Sequence, residues 1–161
     1  MKMGRIWNAT AIGALFCMAG YATIASAQDV LLTVTVDEVR HEFSLDDLKD
    51  FPVSTIETTT IWTDGLQVFE GVAVQALLDS LGVTEGTIKA TAINEYEVDF
   101  PVSDVVENGP VVAYSNNGQP MLRREKGPLW IVYPYDSDRA YQTKTIYNRS
   151  IWQLDRLEIN R

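Results

Sequence analysis

Apolar and polar residues alternate in the first patterned stretch of the chain. Valine and leucine interleave with Thr33 and Thr35 over Val30–Val36, and Val39, His41 and Phe43 resume the period beyond Asp37-Glu38. A period of two sends successive side chains to opposite faces, so the two runs predict an antiparallel hairpin turning at Asp37-Glu38. Ser44 then offers a capping oxygen to a short helix over Leu45–Lys49, with Asp46 and Asp47 in the first turn where acids are favoured. Pro52 ends that segment. β-Branched residues dominate Val53–Trp62, which predicts a strand closed by a Thr63-Asp64-Gly65 turn.

The period changes at Val74, Leu77, Leu78 and Leu81, which share one face of a helix, and Gly82 suits the left-handed position after it. Strands are predicted over Ile88–Ile93, Tyr96–Phe100 and Val111–Tyr114, with a helical turn capped by Ser103 and ended near Asn108-Gly109. Asn117-Gly118 predicts a tight turn, and Gly127-Pro128 introduces the apolar strand Leu129–Tyr133. Pro134–Ser150 is polar and aromatic and predicts a loop before a last strand near Gln153–Ile159. No repeat, low-complexity run or linker interrupts residues 28–161. The pattern predicts one α+β domain, rich in strands, with a few short helices.

The start of the chain is patterned differently. Lys2 and Arg5 precede a mostly apolar stretch from about Ala9 to Ala25, and Ala25-Ser26-Ala27 supplies small residues for cleavage before Gln28. Residues 1–27 therefore read as a secretory signal peptide, which makes the mature domain periplasmic or secreted. The stretch is short and weakly apolar for a span, so no stable membrane insertion is expected after cleavage. The leader carries no twin-arginine pair. Its removal takes away Cys17, the only cysteine, and leaves a mature domain without disulfides or thiolates.

Charge narrows the partners. Formal net charge is −9, and loss of Lys2 and Arg5 leaves 11 basic against 22 acidic residues. Nucleic acid and anionic lipid are poor partners for such a surface. The imbalance is confined to residues 28–120, with 3 basic and 17 acidic residues, whereas residues 121–161 hold 8 basic and 5 acidic. Either folding intermixes these charges, or Arg123, Arg124, Lys126, Arg139, Lys144 and Arg149 form an anion-accepting patch.

Five stretches, in order, carry a family resemblance. Phe69-Glu70-Gly71-Val72-Ala73-Val74-Gln75-Ala76-Leu77-Leu78 resembles the aromatic-x-Gly-Val-x-Leu-x-x-Leu-Leu segment of the oxidoreductase molybdopterin-binding domain, the fold of the sulfite oxidase family. Asn94-Glu95-Tyr96 resembles that family's Gly-Tyr strand entry, and Val111-Val112-Ala113-Tyr114 its Leu-Ala-Tyr strand. Asn117-Gly118-Gln119-Pro120-Met121 through Gly127-Pro128-Leu129-Trp130-Ile131-Val132-Tyr133-Pro134 resembles its Asn-Gly…Gly-Pro-hydrophobic-Pro segment. Arg149-Ser150-Ile151-Trp152 through Ile159 resembles its basic residue before the closing strand. The resemblance implies a β-rich sandwich-like domain around a pterin cleft, with oxygen-atom transfer at a molybdenum held by a cysteine thiolate and a pyranopterin. The cysteine is expected in Thr58–Gly65, which contains none. Hydroxyls and an indole do not replace a soft thiolate at molybdenum.

The resemblance and the missing sulfur together set the functional expectations. One is a non-catalytic periplasmic module that binds a small anionic ligand or a protein partner, with no cofactor. A second is a genuine molybdopterin-dependent oxidoreductase, and a third is a structural subunit with a filled cleft. For a ligand, the resemblance puts Arg149 near a cofactor phosphate, where a guanidinium suits bidentate recognition, with pairing to Asp155 or a plain surface position as the alternative. Arg123 and Arg139 are further cationic candidates. Trp62 stands in the metal-ligating turn, to stack on a flat ligand or plug the cleft, and Tyr141 belongs to the tyrosine-rich loop beside it. His41, the only histidine, has no thiol or second imidazole to work with, so no catalytic residue is assigned.

Overall fold

The computed structural model describes residues 29–161. The expected leader, residues 1–27 with Cys17, lies outside the described residues. Among the described residues ten strands form two sheets, and three short α-helices lie in the connections, which makes the domain β-rich α+β. Among the described residues no helix is long and apolar enough to cross a membrane.

The opening hairpin forms as patterned. Strands β1 (Val30–Val36) and β2 (Val39–Ser44) pair antiparallel, and Asp37 and Glu38 take the positive φ values of 46° and 70° that a tight hairpin turn needs. Helix α1 (Leu45–Lys49) starts in a capping box: Asp47 N donates to Ser44 Oγ at 3.2 Å, and Ser44 N donates back to Asp47 Oδ2 at 2.8 Å. Helix α2 (Val74–Ser80) buries Val74, Leu77 and Leu78 and ends in a Schellman turn. There Val83 N reaches Leu78 O and Gly82 N reaches Asp79 O, both at 3.0 Å, with Gly82 at φ 66°.

The first sheet runs β2-β1-β10-β5-β6, with β5 (Thr87–Ala92), β6 (Glu97–Pro101) and β10 (Leu154–Asn160). Only the β1–β10 pair is parallel, with Val34 beside Leu157. The second sheet runs β3-β4-β7-β8, from β3 (Val53–Thr58), β4 (Gln67–Ala73), β7 (Val111–Asn116) and β8 (Gln119–Pro120). Strand β9 (Trp130–Val132) also pairs with β7. Asn117 and Gly118, at φ 51° and 73°, make the β7–β8 turn.

One core joins both sheets. Leu32 and Val34 of β1, Ile88 and Ala90 of β5 and Leu157 of β10 are buried in the same cluster as Phe69, Val112 and Trp130 of the second sheet. The sheets are also tied along the backbone. Trp130 and Trp152 form an antiparallel bridge, Ile131 N donates to Ile151 O at 2.9 Å, and Leu154 N donates to Leu129 O at 3.0 Å.

Three local expectations are corrected. The strand predicted over Val53–Trp62 stops at Thr58, whose partner Gln67 is the first residue of β4, and the next amide, Thr59 N, bonds the Asp136 carboxylate. The turn expected to be capped by Ser103 is a 3₁₀ turn over Val102–Asp104 that contains Ser103 and has no side-chain cap bond. The predicted loop over Pro134–Ser150 holds a 3₁₀ turn at Arg139–Tyr141 and helix α3 (Lys144–Arg149), whose first turn is capped by Thr143 Oγ1.

Gly71 lies where β4 and β7 shift register, and a Cβ there would meet the Val112 carbonyl and the Ala113 Cα. Backbone atoms cannot swing aside, so Gly71→Ala must separate the central strands of the second sheet. Urea unfolding of Gly71→Ala is expected to show a loss of about 3 kcal/mol, at the upper end for overpacking.

Candidate functional site

The most apolar cavity opens where the first sheet's end meets α3 and the loop after β3. Its volume is about 600 Å³, and its walls come from Ile61 and Trp62, from Asn94 and Tyr96, and from α3 through Lys144 and Tyr147. The turn into β10, Ser150–Trp152, makes its floor. That size suits a small organic ligand.

Local polar bonds shape the loop that carries Trp62. Thr60 Oγ1 and Thr63 Oγ1 are 2.7 Å apart, and Trp62 N donates to Thr60 Oγ1 at 3.1 Å. At the loop's far end, Gln67 Nε2 donates to Asp64 O at 2.8 Å, while Gln67 Oε1 accepts from Asn116 and Asn117. At its near end Asp136 makes a clasp, accepting from Thr59 N at 2.5 Å and from Thr59 Oγ1 at 2.8 Å, while Asp136 N donates to Thr58 Oγ1. These bonds to the charged form hold the Asp136 carboxyl below the usual carboxylate range.

So placed, Trp62 meets four aromatic rings edge-on: Trp152 at 5.6 Å, Trp130 and Tyr147 at 5.7 Å, and Tyr135 at 6.2 Å between centroids. Edge-to-face contacts match the positive ring edge to the negative face. Below them Ser150, itself buried, organises three elements. Tyr135 Oη donates to Ser150 Oγ at 2.6 Å, Trp130 Nε1 donates to Ser150 O at 3.1 Å, and Ser150 Oγ donates to Ile146 O at 2.8 Å. Burial pushes the Tyr135 phenol up to about 12, against the opposing effect of its Ser150 bond, so it stays protonated as a donor. Burial raises the Tyr133 phenol too, with nearby Arg149 opposing.

The sequence-selected residues divide. Trp62 lines the cavity; Arg123, Arg139, Tyr141 and Arg149 are not in its walls. Arg149, with 15 % of its side chain exposed, pairs with Asp104 at 2.7 Å and lies 5.7 Å from the Phe100 ring centroid. Asp155, the partner expected for it, pairs with Arg156 instead. Tyr141 packs beside Tyr133 at 5.9 Å. Arg139 and Arg123 are exposed, and the Arg123 carbonyl accepts from Gln153 Nε2. Lys126 covers Trp130 and Trp152 at 5.6 and 5.4 Å.

Lys144, named before only as part of a charge pattern, stands in the cavity wall, as do Tyr147 and Trp152. The signal for Lys144 and Tyr147 was the spacing of three on a helix that the loop prediction missed. In Thr58–Gly65, where the resemblance expects a thiolate, the threonine hydroxyls bond one another, the backbone and Asp136. Among the described residues no cluster of histidine, cysteine, aspartate and glutamate is arranged to hold a metal ion.

The clasp has a pH signature. A carboxyl with a depressed folded pKa adds stability above its unfolded value, near 4, and loses it as pH falls through the folded value. Asp136→Asn is expected to melt below the parent at neutral pH, with the gap closing below about pH 4 in a melting series. No protein-family model matches the chain, and no curated protein matches it significantly.

Proposed function

We propose that the chain is an exported, non-catalytic binding module, of the sulfite oxidase molybdopterin-binding type in fold, whose aromatic cavity holds a small planar ligand with one anionic group. One observation carries this reading: Trp62, in the segment where the resemblance expects the metal-holding cysteine, is fixed edge-on to four rings and still forms a wall of an open 600 Å³ cavity. Aromatic walls favour a flat, apolar body. Lys144 supplies the one cation in the walls, and among the described residues it makes no ion pair. Asn94 and Asn148 add amides that can orient a polar edge.

The donor set does not fit thiolate-held molybdenum. The segment offers hydroxyls that are already hydrogen-bonded, and Cys17 belongs to the leader that export is expected to remove. Arg149 is committed to Asp104, so the anion contact passes from Arg149 to Lys144 in this reading. Ser150, the hydroxyl in the cavity lining, is engaged by Tyr135 Oη and Ile146 O, which favours binding over turnover.

The test uses protein isolated from the periplasm of a molybdate-fed host, with pterin-6-carboxylate as the probe. Binding is expected to raise unfolding free energy by about 2.7 kcal/mol at a hundredfold excess over Kd. Lys144→Gln is expected to weaken it about tenfold without changing the unliganded melting temperature, and Trp62→Ala to abolish it. Stoichiometric molybdenum in the isolated protein defeats the reading, as does a probe affinity untouched by both substitutions.

A further inference from the structure

Three margins of the two sheets carry features that resist pairing with another chain. β2 bears Arg40 and Glu42, exposed and ion-paired at 2.8 Å; β8 is two residues long and ends in Pro120; α3 packs against β6. β3 has less protection, with Glu57 as its one charged residue and the Asp136 cap confined to its Thr59 end. It is the outer strand of the second sheet, contains no proline, lysine or arginine, and exposes Val53.

Hydrogen bonding on the far side of β4 fixes which backbone groups β3 turns outward. Asn117 N donates to Val68 O at 2.7 Å, and Val68 N donates to Asn117 Oδ1 at 3.0 Å, so Val68 faces β7. Backbone groups change sides at each residue of a strand. Gln67 and Phe69 therefore face β3, opposite Thr58 and Ile56, and Val53, Thr55 and Glu57 direct their N–H and C=O groups to the free edge. Thr59 continues the alternation, and its outward amide is the one that the Asp136 carboxylate accepts. Asp136 thus ends the edge with an acceptor like the one a neighbouring strand would offer.

A second groove, about 670 Å³, follows Val53–Glu57. Glu57, Asp79 and Glu107 are in its walls, no lysine or arginine is, and Pro134 and Ser137 stand near the Asp136 end. None of its lining residues belongs to the aromatic cavity.

We propose that β3 is a docking edge for an extended basic segment of a partner protein. The segment pairs with Val53–Glu57 as a further strand of the second sheet, and its lysines or arginines meet Glu57, Asp79 and Glu107. Main-chain bonds supply affinity in this mode and the side-chain groove supplies selectivity. A second copy of the chain is the poorer occupant, because it would bring the same acids against one another.

The probes are two short fluorescein-labelled peptides, one alternating lysine and valine, the other glutamate and valine. Fluorescence anisotropy at low salt is expected to show binding of the basic peptide only, and hydrogen exchange to show new protection at Thr55 and Glu57. Thr55→Pro removes an outward N–H without breaking a bond to β4, and is expected to weaken binding at least about tenfold. Glu57→Lys alters only an exposed side chain and is expected to shift preference toward the acidic peptide, so it carries the test if Thr55→Pro does not fold. Equal binding of both peptides, no binding of either, or binding unchanged by Glu57→Lys overturns the proposal. Concentration-dependent protection of the same amides without peptide also overturns it, in favour of self-association. Loss of pterin-6-carboxylate binding leaves these outcomes unaffected, since the two sites share no residue.

Discussion

Trp130 is wholly buried, and its indole N–H ends on the carbonyl of Ser150, twenty residues along the chain. Around that bond the backbone of Leu129–Ile131 pairs with Ile151–Leu154, and this short ladder sutures one sheet to the other. The cost of leaving an indole N–H or a buried serine unmatched forces the tie, since neither finds water at that depth. Other features follow from it. Ser150 is held at the end of α3, α3 is thereby turned so that Tyr147 meets Trp62, and the cavity floor is the same run of chain that carries the tie. The aromatic cavity is in this sense a by-product of joining two sheets.

The Trp62 cluster adds rigidity of a different kind. Five rings that touch edge-to-face leave few alternative rotamers, whereas an aliphatic cluster of the same volume tolerates sliding. A cavity walled this way keeps its shape without a ligand, which lowers the ordering cost on binding. The polar network in the loop before β4 serves the same end by fixing where Trp62 leaves the backbone.

Much of the framework was legible because a period of two and its turn residues are local signals. Val30–Val36, the Ser44 cap, Gly82 and Asn117-Gly118 all stand where their chemistry predicts. Other features escaped the reading: β4, seven residues long, was given no element, and the remaining failures are non-local or too short to show a period. The end of β3 is set by where β4 begins, at Gln67, and is clasped by Asp136, 77 residues from Thr59. Helix α3 has six residues, of which only Ile146 and Tyr147 are apolar, so no helical stripe could appear; Thr143 as a cap was its sole mark. Of the site, Trp62 was found through the resemblance, while Lys144 was seen only as charge, because its position depends on α3. The resemblance set Arg149 toward an anion; in three dimensions Asp104, 45 residues earlier, is its partner.

The placement of β10 between β1 and β5 constrains how the domain can be made. Two antiparallel hairpins, one near the front of the domain and one in its middle, have no shared seam until Leu154–Asn160 slides between them as the central strand of the sheet. The first sheet therefore stays two unconnected hairpins until Leu154–Asn160 has been made, and its closure waits on the most sequence-distant pairing in the domain.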